Sequence, residues 1–135
     1  MFHNPNVFFA MANSEYKFYL TGSRFFGTQQ QNSDWDFFVQ KTISIDNDLS
    51  GMGFKREEKP SYIDPICDTV WKHPDGIHVQ VVDDGRLKET AQLIIQNNNL
   101  LRFALSKTES ALVWKAVITT LVEERDGLKK ESESW

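Results

Sequence analysis

Two carboxylates one residue apart, Asp34 and Asp36, flank the start of an apolar run, and Gly22-Ser23 closes an earlier one. Side chains two positions apart on a strand point to the same face, so the two aspartates would present hard oxygen donors together. Such a pair suits magnesium, which takes one or two carboxylates and leaves its other positions to water and phosphate oxygens. Gly22 lets the backbone come close to a ligand, and Ser23 adds a hydroxyl beside backbone N–H groups that the start of a helical turn leaves unpaired. The combination places a phosphate-sized anion next to a divalent cation. Each half also has a plainer reading: Gly-Ser after a strand is commonly a turn, and Asp-x-Asp is commonly a solvated strand face or a helix cap. The weight lies in finding both in one strand-loop-strand setting.

Several elements must position these groups. Tyr16 to Leu20 reads as a strand ending on Gly22-Ser23, Trp35 to Val39 reads as a second, and Arg24 to Gln31 reads as a short helix or turn between them. Ahead of them, Pro5 to Asn13 fits a short helix. Lys41 to Pro60 fits a loop and a short helix ended by Gly51 or Gly53. The following Lys55-Arg56-Glu57-Glu58-Lys59 alternates charge as a solvated face does, or borders a pocket. Cys67 to Lys72 and Ile77 to Val82 flank His73-Pro74-Asp75-Gly76, a hairpin signal. The second arm alternates, with Ile77, Val79 and Val81 on one face and His78, Gln80 and Val82 on the other.

After Gly85 the period becomes helical, with Leu87, Ala91, Ile94, Ile95 and Leu101 on one stripe. A final helix over about Thr108 to Glu124 carries Ala111, Trp114, Val117, Ile118, Leu121 and Val122, capped by Ser106 or Thr108 and stopped at Gly127. Residues 129–135 read as a charged, frayed tail following a single domain of residues 1–128, with Trp135 able to dock on a partner.

Composition bounds the rest. A length of 135 residues fits one domain. The net charge of -4 and the pI near 5.3 disfavour bulk nucleic-acid binding, which depends on lysine and arginine neutralising phosphates. The single Cys67 excludes an internal disulfide and suits a reducing compartment. With no secretory h-region and no apolar run long enough to span a bilayer, no membrane association and a cytoplasmic location are expected.

The stretches Thr21-Gly22-Ser23-Arg24-Phe25-Phe26-Gly27 and Ser33-Asp34-Trp35-Asp36-Phe37-Phe38-Val39 resemble the signature of the DNA polymerase beta-like nucleotidyltransferase superfamily in its minimal, single-domain form. They are similar to the pair found in small phage-encoded nucleotidyltransferases, and the resemblance spans about residues 16–82. It implies an α/β (α+β) fold, a small mixed β-sheet of four or five strands with helices mainly on one face. The implied activity is transfer of a nucleoside monophosphate from a nucleoside triphosphate to a hydroxyl on a protein, RNA or small molecule, with Mg²⁺ or Mn²⁺. Gly22 and Ser23 would hold the phosphates, and Asp34 and Asp36 would hold the metals. By its own position next to Ser23, Arg24 can pair with phosphate as a bidentate donor, although an arginine at a helix start is more often a surface residue. A phage-encoded protein of this kind would act in the host cytoplasm.

The superfamily uses a third carboxylate, on the neighbouring strand, to activate the attacking hydroxyl and share the catalytic ion. In the phage proteins that strand reads apolar-Asp-apolar-Gln-apolar-Val; here it is Ile77-His78-Val79-Gln80-Val81-Val82, with His78 where the Asp would be. An imidazole can act as a base or bind a softer metal, but it brings no negative charge to offset a second magnesium. Three routes to activity stay open. His78 can serve as base beside one metal. Asp68 can supply the carboxylate from the hairpin's other arm: a three-residue loop puts it on the face of His78 and a four-residue loop on the opposite face. Asp83 can reach in from the strand end. His78 can also be a polar residue covering an open sheet face. The competing function is a fold without turnover that binds a nucleotide or a host-protein partner, as an accessory or inhibitor does.

Overall fold

The computed structural model describes residues 5–27, 29–58, 65–100 and 106–133, and contacts divide the chain into two units, Met1–Gly85 and Arg86–Trp135. The first unit holds a sheet of β1 (Tyr19–Thr21), β2 (Trp35–Gln40), β3 (Lys55–Arg56), β4 (Cys67–His73) and β5 (Ile77–Val82), in the order β1-β2-β5-β4-β3. β2 and β5 run parallel and the other neighbours antiparallel. The sheet is therefore mixed and the fold is a small α+β type, the fold class expected above.

Alternation sorts the strands into two faces. Trp35, Phe37 and Val39 of β2, Ile77, Val79 and Val81 of β5 and Trp71 of β4 pack with Val7 and Met11 of α1 (Pro5–Asn13), with Ile45 and Leu49 of α3 (Ile45–Gly51), and with Phe54. Ile77, Val79, Val81 and Leu49 are completely buried, and each such side chain contributes about 1.5–3 kcal/mol. On the opposite face of β2 and β5, Asp36 and His78 stand at the strand starts while Phe38 and Val82 farther along are completely buried.

The hairpin fixes its register. Pro74-Asp75-Gly76 forms a three-residue loop in which Gly76 adopts φ +82 and donates its N–H to the His73 carbonyl at 3.1 Å. The buried His73 accepts the Asp75 N–H on Nδ1 at 3.0 Å and meets the Phe54 ring edge-on. That staple places Lys72 opposite His78.

Two elements differ from expectation. β1 begins at Tyr19 rather than Tyr16. The Ser14 hydroxyl donates to the Met11 carbonyl and accepts from the Tyr16 N–H, and the Tyr16 hydroxyl bonds Ser44 and Asp48, so residues 14–16 bend off α1. β3 arises inside the segment read as a solvated face. Its two residues are both exposed, which leaves no alternation to detect.

The second unit holds α4 (Gly85–Asn97) from its second residue onward and α5 (Lys107–Glu133). Leu87, Ala91 and Ile95 of α4 and Trp114 and Ile118 of α5 are buried, as the stripes predict, whereas Ala111 is exposed. Ser106 caps α5: its hydroxyl accepts the Glu109 N–H at 3.2 Å and donates to the Glu109 carboxylate at 3.2 Å. The expected stop at Gly127 is not found, and the tail is helical as far as it is described, since α5 continues to Glu133. One glycine in an exposed helix costs about 1 kcal/mol, and the flanking Leu128, Lys129, Lys130 and Glu131 are strong helix formers, with Asp126 and Lys130 spaced for an i, i+4 pair. Leu101 and Trp135 lie outside the described residues. Among the described residues no helix is long and apolar enough to cross a membrane.

Candidate functional site

Strand register assembles the site. Thr21 lies beside Asp36 across β1 and β2, and Asp36 lies beside His78 across the parallel β2 and β5. Asp34 immediately precedes β2. His78 Nδ1 stands 3.4 Å from Asp36 Oδ1, and His78 Nε2 stands 3.5 Å from Asp34 Oδ2. One imidazole therefore lies between both carboxylates. The two contacts are longer than a well-formed N–H···O bond, and Nε2 is shielded from solvent without a hydrogen-bond partner. A buried, unpaired polar atom carries a desolvation cost. Among the described residues no three His, Cys, Asp or Glu side chains are grouped to hold a metal ion.

Gly22 meets this cluster from the side. It opens α2 (Gly22–Phe26) with φ +71, and a Cβ placed on it would lie 2.3 Å from Asp36 Oδ2 and 2.9 Å from Asp36 Cβ. The glycine is thus required twice, by its left-handed backbone and by the carboxylate pressed against it. Replacing Gly22 with alanine is expected to destabilise the protein by about 1–2 kcal/mol from the backbone alone, with an added term from the displaced Asp36. A denaturant midpoint, combined with an Asp36→Gly background in a double-mutant cycle, separates the two: the added term should vanish once the Asp36 side chain is gone. Ser23 follows at the base of the turn and is only 8% exposed. Gly27 ends α2 in the left-handed region, donating its N–H to the Ser23 carbonyl.

Arg24, assigned to phosphate from the sequence, is engaged with the segment that carries Asp34. Its Nη2 donates to the Ser33 carbonyl at 2.8 Å, its guanidinium lies 4.1 Å over the Trp35 ring, and its Nε is buried without a partner. These contacts tie α2 to the residues on either side of Asp34, which orients that carboxylate toward His78.

Neither alternative third carboxylate is near. The three-residue hairpin loop would put Asp68 on the face of His78, but the β4–β5 register shifts between Cys67 and Thr69, which takes Asp68 out of the ladder. Its carboxylate pairs instead with Lys41 Nζ at 3.1 Å. The neighbouring Cys67 faces Val82, four residues along β5 from His78 and so about 13 Å away. Asp83, one residue beyond, donates its N–H to the Ile66 carbonyl at that same far end.

The Asp68 carboxylate holds the Lys41 amine above its ordinary value of 10.5. A raised folded-state pKa contributes stability below the unfolded value, and that contribution is lost as pH rises through the folded one. Asp68→Asn is expected to return Lys41 toward its ordinary titration, followed by NMR above pH 9, while leaving ligand binding at the aspartate site unchanged. A loss of binding in that variant would place Asp68 in the site after all.

Two residues on this face escaped the sequence reading. Lys72 of β4 lies directly opposite His78; the length of the hairpin loop was the signal that could have located it. Tyr19 of β1 lies opposite Phe38 and stacks on it with ring centroids 4.9 Å apart. No family model, curated protein or solved structure matches the chain.

Proposed function

We propose that the protein is a minimal nucleotidyltransferase of the DNA polymerase beta-like kind, moving a nucleoside monophosphate from a nucleoside triphosphate to a hydroxyl acceptor. The observation that carries this reading is the imidazole of His78 held between Asp34 and Asp36, with Gly22 pressed against the Asp36 carboxylate. Two hard oxygen donors on one strand end fit a divalent ion, and Asp34 and Asp36 are the residues that would hold Mg²⁺ or Mn²⁺. When bound, such an ion polarises the phosphoryl oxygens and offsets their charge.

The chain's own groups do the rest. Gly22 and Ser23 receive the donor phosphates beside Asp36. His78 takes the proton of the acceptor hydroxyl on its imidazole. The hydroxyl oxygen forms a bond to the α-phosphorus, the bond from that phosphorus to the bridging oxygen of the β-phosphate breaks, and pyrophosphate leaves. Asp34 and Asp36 flank the imidazole and stabilise the positive charge it gains.

Calorimetric titration with the four nucleoside triphosphates, each with Mg²⁺ and with Mn²⁺, tests the reading. Binding that requires the metal is expected, and a nucleoside bound as tightly as its triphosphate would count against it.

A second reading draws on the same contact. An imidazole between two carboxylates occupies space next to the metal donors and brings no charge to bind a second ion. A nucleotidyltransferase-like fold that binds nucleotide or a host protein without turnover has this character.

A further inference from the structure

The polar row on the sheet continues past His78. Asp36 pairs with His78, His78 with Lys72, and Lys72 with Lys55. Directly paired residues share a face, and neighbouring strands are about 4.8 Å apart. Lys72 therefore stands one strand and Lys55 two strands beyond His78, on the side away from β1 and Gly22. Both lysines are exposed, and neither forms an ion pair among the described residues. Like charges directly opposite each other destabilise a strand pair. In a chain with 19 acidic residues and a net charge of -4, two neighbouring cations left facing each other are poorly accounted for by stability. A lysine on an edge strand discourages edge-to-edge pairing; that covers Lys55 on β3 but not Lys72 on β4, which lies inside the sheet.

We infer that Lys72 and Lys55 form an anion subsite for the acceptor, so that the hydroxyl compound receiving the nucleotide carries a phosphate about 5–10 Å from the reacting oxygen, one to two strand spacings. This rests on the nucleotidyl-transfer reading. There the donor phosphates lie at Gly22 and Ser23 on the β1 side, and an acceptor that brings its hydroxyl to His78 has the β4–β3 side of the sheet left for the rest of its length. The lysines stand on that side. A small phosphorylated compound is favoured over a polynucleotide because two cations in an acidic protein neutralise one phosphate group and not a backbone.

The test uses ribose 5-phosphate and ribose as probes, added to the full chain loaded with nucleoside triphosphate and Mg²⁺, with affinities read from amide shifts. Ribose 5-phosphate should bind at least about fivefold tighter than ribose, the effect of one partly exposed charge contact, and should shift the amides of Lys72 and Lys55. Lys72→Glu should erase the difference at unchanged triphosphate affinity. Lys72→Ala should erase most of it while its unfolding midpoint equals or exceeds the parent's, because a like-charge pair has been relieved. That opposition of binding and stability is not produced by a merely structural lysine. Equal affinity for the two probes, or a difference that survives Lys72→Glu, overturns the subsite while leaving triphosphate binding in place. Absence of triphosphate binding overturns the underlying reading and the subsite with it. A single-stranded oligonucleotide that outcompetes ribose 5-phosphate through the same lysines overturns the small-molecule assignment.

Discussion

Replacing Asp34 and Asp36 together with asparagine is expected to remove the metal-dependent nucleoside triphosphate binding proposed for this site and to leave the fold in place. Both carboxylates stand at the start of β2, opposite in direction to Trp35 and Phe37, where Asp36 is half-buried and Asp34 more exposed. Asparagine keeps their shape and removes the charge that attracts a hard cation. Charge-assisted contacts contribute about 1.5–3 kcal/mol each, so losing two weakens binding by about a hundredfold or more. Stability should change by no more than about 0.5 kcal/mol, as for a surface substitution: the exchange relieves repulsion between two like charges and loses the electrostatic part of their contact with His78. The check is calorimetry with Mg²⁺ alongside thermal unfolding of the same samples. Binding that persists at parental strength would place the metal donors elsewhere.

Much of this site was legible because it depends on local rules. Asp34 and Asp36 fall on one side by the two-residue period of a strand, and the Pro74-Asp75-Gly76 turn announces the hairpin that carries His78. Pairing of β2 with β5 was expected only through the resemblance, since nothing in either run alone specifies a parallel neighbour. The structure gives Gly22 a different reason for being glycine. Its absent Cβ makes room for Asp36, a contact across the β1–β2 connection that spacing along the chain does not reveal.

What stayed hidden depends on long-range pairing or on weak local signals. β3 has two exposed residues and no pattern, so its place beside β4, and with it the opposition of Lys55 to Lys72, appears only in the assembled sheet. The face of Asp68 was left open between a three- and a four-residue hairpin loop, and the irregularity between Cys67 and Thr69 overrides either count. Gly127 looked like a helix stop because glycine commonly serves as one, yet nothing around it caps the chain and the residues beyond favour continuation. Arg24 was read by its neighbour Ser23, whereas its reach is set by Ser33 and Trp35 on the other side of the loop.

The most direct test of nucleotidyl transfer by this site is the passage of label from an α-phosphate-labelled nucleoside triphosphate to acceptors in a cell lysate, measured for the parent, His78→Ala and His78→Asp at equal metal. The parent should label an acceptor. His78→Ala should lose the activity by about 10²–10⁴-fold, the usual contribution of a positioned general base. His78→Asp restores a negative charge beside Asp36 and should keep or raise transfer, most clearly with Mg²⁺. No transfer by the parent, together with triphosphate binding and weak activity created by His78→Asp, would favour the binding-protein reading. Robust transfer by the parent that survives His78→Ala would contradict the role given to the imidazole, and with Asp68 and Asp83 at the far end of β5 it would leave the site as described without its base.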